Sequence, residues 1–567
     1  MTGSKNDFTD EVSEGRQESF GDRPLASVKA ARSTDRATAD DLFTPDASVD
    51  QRPALRSWRR RLAIGFLVFL AIAGTRWPLR TTYLATFDAA NFTFALDDFS
   101  PAYHRPQPPG YPLFVALSRV LQTVIPEPEK IFPAAGILGS ALAVVLLFQL
   151  GNIMFGRPAG ICAAALLTVH PALWFAGVMY PVRVYLAAGS AAVALLCWLA
   201  LRLPQQQRWF WYAGAAMGIS AGFRPELLLF LSPVALLAVL AAHRRGAALV
   251  SLTAAVLLTA AAWLWPMAQA FGGLGPMLQF FTDYLRERSA ESLVLGANLE
   301  AAAPHWLLAL QWTFLPALAW IWAVPFVRSE RTVGLPSRWI FVACWLLPGF
   351  LFHALVHIHH PDQALAAAPP LCLLGGWAIS QAHGGRNAIW RSRIRAAFVA
   401  VALTASTFLF WERLDWAPRA TGYLGYIEWM EDMSRATIEE IRESKREAPG
   451  FLISANSEVP WRVLQHYFPE QTLIVLPGDL REDPPPQSEV WFLRNNNMEQ
   501  HLAAAEPIPL PAHGRGIWIA PMAEAVVDLL AAVPGGQRTG PVWSSESEPG
   551  REFQVGQYWF VTVAGKP

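Results

Sequence analysis

The sequence predicts a membrane all-α protein, a polytopic bundle of about 11 transmembrane helices, with a small C-terminal extracytoplasmic α/β domain. Composition is the first reason. Of the 567 residues, 53% are hydrophobic and only 16% are charged, so apolar side chains must face lipid over much of the surface. The second reason is a series of long apolar runs, and the third is the placement of Arg between those runs.

The apolar runs define the predicted spans. Crossing a hydrocarbon core takes roughly 17 to 25 residues of helix. Runs of about this length cover residues 62–79, 133–155, 158–179, 184–201, 247–270, 306–327, 339–357 and 363–382. Three shorter runs, at 209–222, 227–242 and 396–411, cross only where the bilayer thins or protein covers their ends. Counting both groups predicts eleven spans.

Arginine placement gives the orientation of the predicted spans. Short cytoplasmic loops carry an excess of Lys and Arg, and here every second junction is basic. The basic junctions contain Arg52, Arg56, Arg59, Arg60 and Arg61; Arg157; Arg202 and Arg208; Arg244 and Arg245; Arg328, Arg331 and Arg338; Arg386, Arg391, Arg393 and Arg395. This alternation predicts a cytoplasmic N-terminus and an extracytoplasmic location for everything after Trp411.

Three regions follow from this organisation. Residues 1–55 are polar and poor in aromatics, which predicts a disordered cytoplasmic tail. Residues 56–411 form the transmembrane domain, whose first outer loop covers 80–132. Residues 412–567 contain β-rich runs such as "GFLISAN", "TLIVLPG", "EVWFLRN", "GIWIAP" and "QYWFVTV", with helical stretches "TIEEIRESKRE" and "MAEAVVDLLAAV". This last domain is either a structural cap on the outer surface or a substrate-binding element.

Several function classes are excluded by the composition and the motifs. A formal net charge of zero gives no indication of the basic surface that nucleic-acid binding requires. The chain has no P-loop and no dinucleotide fingerprint, and its inner connections are too short to fold into a nucleotide-binding domain. The long connections, 80–132 and 271–305, are both outer loops. We therefore expect any chemistry on the outer face of the membrane.

An acidic residue stands out at the start of the first outer loop, in "TFDAANFTFALDDF". At helical periodicity Asp88 shares a face with Phe92 and Ala95, so a carboxylate interrupts an apolar stripe. Burial on that face raises the pKa of a carboxyl group, which suits a general base. The alternative is that Asp88 caps the helix. Spacing alone does not choose between these interpretations.

The rest of the loop forms a corner followed by a second helix. Asp97 and Asp98 end the first helix as solvated acids, and "HRPQPPGYP" then stops it, since proline removes donors and fixes the backbone. Beyond the corner, "LFVALSRVLQTVI" is apolar on one side with Arg119 and Gln122 on the other. This pattern is typical of a helix that lies in the membrane interface.

The order of first span, "FDAANF", "PQPPGYP" and interfacial helix resembles the first periplasmic loop of GT-C glycosyltransferases. The resemblance is to family 39-like bacterial proteins, relatives of protein O-mannosyltransferases and lipid A aminoarabinose transferases. It extends over residues 60–410 and includes "YPVRVY" and "GFRPELLLF". The mannosyltransferases carry an Asp-Glu pair in this loop, whereas Ala89 follows Asp88 here.

The resemblance implies an enzyme of the bacterial cytoplasmic membrane. It would transfer a sugar, with inversion, from a polyprenyl-phosphate carrier to an acceptor on the outer face, with Asp88 as the base. The partners implied are the lipid-linked sugar and membrane lipid, with the acceptor unidentified. No cofactor beyond this donor is predicted, and a divalent metal is left open.

Candidate residues for the donor phosphate follow from the same implication. Arg183, in "MYPVRVY", is the first, because a guanidinium holds two phosphate oxygens; the alternative is snorkelling to the interface. Arg105 is also assigned to the phosphate, while Asp98 and His104 are assigned to the acceptor or to assisting a metal. Arg224 either joins the site or pairs with Glu226.

A histidine cluster, "FHALVHIHHPDQ", adds His359 and His360 to the phosphate-binding candidates. His353 and His357 lie four residues apart on one helical face, a spacing that also suits a metal, although the sequence gives no third ligand. Unliganded interfacial histidines are the alternative interpretation.

The rival function is a transporter or flippase of lipid-linked sugars. Transporters usually carry internal repeats and mid-membrane sites on broken helices. This chain has no internal repeat and concentrates its polar residues at the outer ends of spans, which favours an enzyme. A proline-broken helix near Pro369 and Pro370 keeps the transporter hypothesis open, and an inactive scaffold is a third alternative.

Overall fold

A computed structural model of the chain describes residues 58–290, 302–327, 335–356, 360–382 and 388–445, and then the shorter segments 450–455, 459–469, 472–476, 490–494, 498–502, 514–519, 536–543 and 558–563. The tail predicted for residues 1–55 lies outside these ranges, as do His357 and His359.

The described residues form α-helices up to Lys445, with one further helix and a sheet beyond. The helices are α1 (Trp58–Arg76), α2 (Phe87–Asp97), α3 (Pro112–Gln122), α4 (Pro128–Phe155), α5 (Arg157–Thr168), α6 (Pro171–Met179), α7 (Val184–Arg202), α8 (Gln207–Phe223), α9 (Leu227–Leu240), α10 (Arg245–Ala270), α11 (Leu274–Ala290), α12 (Ala302–Phe314), α13 (Leu335–Leu355), α14 (Ala368–Gln381), α15 (Ala388–Trp411), α16 (Tyr423–Lys445) and α17 (Trp461–Tyr467).

Most of the predicted apolar runs coincide with one of these helices, but three are interrupted. The run at 363–382 begins in the 3₁₀ turn Pro361–Ala366 and continues as α14. The run at 158–179 is divided into α5 and α6, which meet at an angle of 49° where Pro171 removes a backbone donor. The run at 306–327 is not continuous, because α12 is followed by two 3₁₀ turns, Leu315–Ala319 and Ile321–Phe326, each containing a proline.

The chain is a multi-pass membrane protein. Among the described residues, five helices are long and apolar enough to cross a bilayer by length and composition, and the bent α5–α6 pair would make a sixth. The five segments are Pro128–Phe155, Pro181–Arg202, Arg245–Ala270, Ser337–Leu355 and Ser392–Trp411. The larger count of eleven spans stays a prediction.

A seven-stranded sheet lies beyond α16. Its strands are β1 (Gly450–Ala455), β2 (Thr472–Leu476), β3 (Val490–Arg494), β4 (Met498–Leu502), β5 (Gly514–Ile519), β6 (Gly536–Trp543) and β7 (Tyr558–Val563), in the order β4-β3-β2-β1-β5-β7-β6. The central strand β1 runs parallel to β2 and β5, and the outer pairings are antiparallel. The predicted helix "MAEAVVDLLAAV" lies outside the described residues.

Two glycines of α4 bring the bundle close together beside the first outer loop. A Cβ on Gly136 would lie 2.3 Å from the carbonyl oxygen of Gly177 in α6, and one on Gly139 would lie 2.4 Å from the Val184 side chain. Because only glycine tolerates such an approach, these positions let α6 and the start of α7 pack directly against α4. Arg183 lies at that junction.

Candidate active site

The helix that carries Asp88 is fixed at both ends. The side chain of Thr86 accepts a hydrogen bond from the amide of Ala89 (3.1 Å), so Thr86 is the N-cap and Asp88 lies inside the first turn. The interpretation of Asp88 as the capping residue is therefore wrong. At the other end, Arg119 of α3 donates to the carbonyl oxygens of Ala95 and Leu96, both at 2.9 Å. The polar side of α3 thus caps α2.

Arg183 lies in a 3₁₀ turn, Pro181–Arg183, between α6 and α7, and its side chain is buried. Its Nη1 donates to Oδ1 of Asp362 at 2.5 Å. Its Nη2 lies 3.6 Å from Oδ2 of Asp88, an ion-pair distance longer than a hydrogen bond. One guanidinium therefore lies between two carboxylates from different parts of the chain, which excludes simple snorkelling as the account of Arg183.

Asp362 is the principal site residue that the sequence analysis missed. It lies in the 3₁₀ turn Pro361–Ala366, is 0% exposed, and pairs with Arg183. The available signal was its position in "HHPDQ", directly after the histidine cluster and before an apolar run. An acid beside a predicted span is rarely tolerated without a partner.

The two carboxylates differ in accessibility. The side chain of Asp88 is 27% exposed, whereas that of Asp362 is fully buried. A small molecule that entered from the outer loop would therefore reach Asp88 and not Asp362. Of the two acids, Asp88 is placed to exchange a proton with a substrate, and Asp362 is placed to hold Arg183.

Burial raises the pKa of the Asp88 carboxyl above its ordinary value, and the nearby Asp362 carboxylate acts in the same direction. Arg183, Arg224 and a hydrogen bond from the Gln107 side chain oppose the rise. The net effect of these interactions is a raised pKa, so at a given pH Asp88 is protonated more often than a solvated aspartate. A carboxylate in this environment is a better proton acceptor, which is the property predicted from the apolar face of α2.

An aromatic ring packs on the Arg183 guanidinium. The Tyr180 ring lies 4.4 Å from its Cζ atom, and the His360 ring lies 5.3 Å from the Tyr180 ring. His360 also caps the turn that carries Asp362, since its backbone amide donates a hydrogen bond to Oε1 of Gln363 at 3.2 Å. His360 therefore belongs to the same site, and His359 cannot be placed because it lies outside the described residues.

A second arginine–carboxylate pair lies near the first. Arg224 donates through Nε to Glu226 at 2.8 Å, and a second contact joins Nη2 to the same oxygen. This is the local pairing that the sequence left as one alternative. The Arg224 guanidinium lies 5.1 Å from the ring of Tyr111, the N-cap residue of α3, which is in the left-handed conformation with a φ of 44°.

The remaining predicted site residues lie in the corner after α2. Arg105 pairs with Asp98 at 3.1 Å, and the Asp98 side chain is 60% exposed. The Arg105 guanidinium also lies 5.7 Å from the Phe94 ring. The His104 ring lies 6.5 Å from that of Phe87, the residue before Asp88. Arg105 and Asp98 thus bind each other, while Asp88 and Arg183 form a separate cluster.

No group of three or more His, Cys, Asp or Glu side chains among the described residues is arranged to hold a metal ion. The backbone carbonyl oxygen of His353 lies 2.8 Å from Nε2 of His305 on α12, and His357 lies outside the described residues.

Comparisons with solved structures identify the fold. The structure of ArnT from Cupriavidus metallidurans bound to undecaprenyl phosphate is 12% identical, with 90% of this chain and 99% of that chain covered and a TM-score of 0.50. Its apo state gives 12% identity, coverage of 90% and 98%, and a TM-score of 0.50. Arabinofuranosyltransferase AftD from Mycobacteria is 16% identical, with coverage of 90% and 40% and a TM-score of 0.44.

The chain therefore shares the fold of the two ArnT structures over most of its length. No family model and no curated protein matches the sequence.

Proposed function

We propose that this protein is a GT-C-type glycosyltransferase that moves a sugar from a polyprenyl-phosphate carrier to an acceptor hydroxyl on the outer face of the membrane. The observation that carries this proposal is the pairing of a partly exposed carboxylate, Asp88 at the start of the first outer loop, with a buried guanidinium, Arg183 in the turn between α6 and α7. Such a pair can accept a proton and stabilise a departing phosphate in one place.

The reaction assigns one role to each member of the cluster. Asp88 takes the proton from the acceptor hydroxyl while the oxygen attacks the anomeric carbon of the donor sugar. The bond from that carbon to the carrier phosphate breaks on the opposite face, so the configuration is inverted and the phosphate leaves with the electron pair. Arg183 and Asp362 stay unchanged throughout.

Proton transfer and phosphate departure are coupled through Arg183. Its Nη2 is 3.6 Å from Asp88, too far for a hydrogen bond, so this nitrogen retains a donor for a phosphate oxygen. When Asp88 becomes protonated it loses its attraction for Arg183. The positive charge of Arg183 is then free to interact with the negative charge that develops on the leaving phosphate. Because this interaction is strongest in the transition state, it lowers the barrier to the reaction.

The solved neighbour is consistent with this class of donor, because the ArnT structure was obtained with undecaprenyl phosphate bound. The predicted span at 363–382 is interrupted, as the transporter alternative expected: the 3₁₀ turn Pro361–Ala366 precedes α14, whose first turn contains Pro369 and Pro370. The position of the charged pairs favours the enzyme. The described bundle places its carboxylate and arginine pairs at helix ends beside the outer loop.

Donor specificity gives a direct test. We expect transfer from undecaprenyl-phosphate hexoses or pentoses and none from nucleotide sugars, since the sequence has no nucleotide-binding motif. The purified full chain in lipid nanodiscs would be incubated with each donor panel and an extract of outer-envelope acceptors, and the labelled sugar would be followed. Transfer from a nucleotide sugar without lipid carrier would contradict the proposal.

Topology gives a second test. The first outer loop contacts α17, because the Tyr467 hydroxyl binds the amide of Leu84, so both lie on one face of the bundle. Ten of the eleven predicted spans separate them, an even number as one face requires. We expect an alkaline phosphatase fusion at residue 567 to be active and a cytoplasmic reporter there to be silent. The reverse result would overturn the cytoplasmic placement of the N-terminus.

A further inference from the structure

The short helix α17 comes from the region after the bundle and packs on the helix that carries Asp88. The ring of Trp461 lies 5.7 Å from that of Phe87, with the planes at 71°. Nearer the other end of both helices, the ring of His466 lies 6.2 Å from that of Phe94. Both contacts fall on α2, so α17 lies along its length.

Arg462 is the centre of this contact. Its side chain is buried, with 2% of the residue exposed, and its guanidinium lies between two rings, 4.3 Å from Trp461 and 5.7 Å from Phe94. Its Nη2 donates to the carbonyl oxygen of Tyr103 at 3.0 Å, and its Nη1 donates to Gln465 at 2.9 Å. One residue therefore connects α17, α2 and the corner that follows α2.

Tyr467 fixes the opposite end of α17. Its hydroxyl accepts a hydrogen bond from the amide of Leu84 at 2.8 Å and donates to the carboxylate of Glu129 at the start of α4. Leu84 lies two residues before the N-cap of α2. The chain entering α2 and the chain leaving it are thus both hydrogen-bonded to α17.

Similar contacts come from α16. Arg442 donates to the hydroxyl of Tyr83 at 3.0 Å, and the carboxylate of Glu431 accepts a hydrogen bond from the amide of Thr82 at 2.7 Å. These bonds join the same short stretch before α2 to the region after the bundle. A domain that only covered the outer surface would not need hydrogen bonds to the backbone amides of Thr82 and Leu84.

We propose that α17, through Arg462, is a positioning element that holds α2 in the place where the Asp88 carboxylate meets Arg183. This inference rests on the proposed glycosyltransferase function for its effect on rate. Arg462 contacts no reacting atom; it acts through α2. The buried contacts of Arg462 support this assignment. Its guanidinium lies between two rings and is hydrogen-bonded to a loop carbonyl, so a movement of either α2 or α17 would break these contacts.

The expected effect is on turnover and not on donor affinity. A displacement of a catalytic group by about 1 Å can cost on the order of 10²-fold in rate. Arg183 is held by Asp362 and by the α6–α7 junction, so its grip on the carrier phosphate does not depend on α17. We expect Arg462→Met to lower kcat at least about tenfold and to leave the affinity for undecaprenyl phosphate within about twofold.

The experiment uses the full chain in nanodiscs and three variants. Arg462→Met removes both hydrogen bonds, and Arg462→Lys keeps the charge and one donor for Tyr103, so it should recover part of the rate. Arg435→Met is the matched control, because Arg435 forms an exposed pair with Asp432 on α16. Turnover, undecaprenyl phosphate binding and hydrogen exchange of the α2 amides would be measured for each.

Faster exchange across α2 together with the loss of turnover would support the proposal. Unchanged exchange in Arg462→Met, or unchanged turnover, would overturn it. If Arg462→Met does not fold, the test depends on Arg462→Lys alone. Wild-type turnover together with wild-type hydrogen exchange of the α2 amides in that variant would overturn the proposal. If the wild-type chain transfers no sugar from the donor panel, the proposed function fails, and exchange in α2 still reports whether α17 holds that helix.

Discussion

Asp88→Asn is expected to leave the protein folded and to lower sugar transfer by about 10² to 10⁴-fold. The amide cannot accept the proton of the acceptor hydroxyl, and that proton transfer is the step assigned to the carboxylate. Folding should be normal because Thr86, not Asp88, caps α2. The measurements are expression, monodispersity in detergent and the initial rate of transfer at saturating undecaprenyl-phosphate sugar.

Two comparisons make this result specific to Asp88. Asp98→Asn is the matched control, since Asp98 is an exposed acid of the same loop that pairs with Arg105, and it should retain nearly full activity. The wild-type rate should also fall as pH falls through the raised pKa of Asp88, because only the carboxylate form is active. This acid limb should lie above the ordinary aspartate value of about 3.9. A fully active Asp88→Asn enzyme would end the proposed mechanism.

Arg183→Ala is expected to lower turnover by about 10² to 10³-fold, the usual effect of removing a group that stabilises developing charge. Arg183→Lys should lose less, because it keeps the charge and loses the planar fork. The structure adds a second consequence. Asp362 is fully buried and pairs with Arg183, so the alanine variant leaves a buried carboxylate without its partner, a change that costs about 3 to 5 kcal/mol of stability.

The two effects of Arg183→Ala can be separated by a double variant. Arg183→Met with Asp362→Asn removes both buried charges, so thermal stability should return toward that of the wild type while transfer stays low. Arg208→Ala serves as the control, since Arg208 is exposed and bonded only locally to Gln206. Wild-type transfer by the stable double variant would remove Arg183 from the mechanism and leave it a structural role.

Much of the bundle was predictable because its signals are local. A hydrophobic run of about 20 residues satisfies its own backbone hydrogen bonds as a helix, whatever surrounds it. The same is true of α2, whose apolar face and flanking prolines can be read from a dozen residues. The interrupted run at 306–327 was missed because its hydropathy is unbroken even though Pro316 and Pro325 prevent a continuous helix.

The candidate site was only half predictable. Asp88 and Arg183 each stood out as charged residues in apolar surroundings, which is a property of their own segments. Asp362 looked like an ordinary loop acid next to a histidine cluster. Asp362 is important because it pairs with Arg183, which lies 179 residues away in the sequence. A local sequence pattern cannot predict a contact between residues so far apart.

The sequence by itself indicated a membrane bundle with a long loop at residues 80–132, an acid on the apolar face of the first helix of that loop and an arginine at the end of a later apolar run. Only the tertiary structure decided which charges meet: Arg183 with Asp362, Arg105 with Asp98, and Arg462 with the carbonyl of Tyr103, 359 residues away. The physical reason is that helix formation and burial depend on neighbouring residues, whereas ion pairs depend on how close packing, through contacts such as Gly136 with Gly177, brings distant helices together.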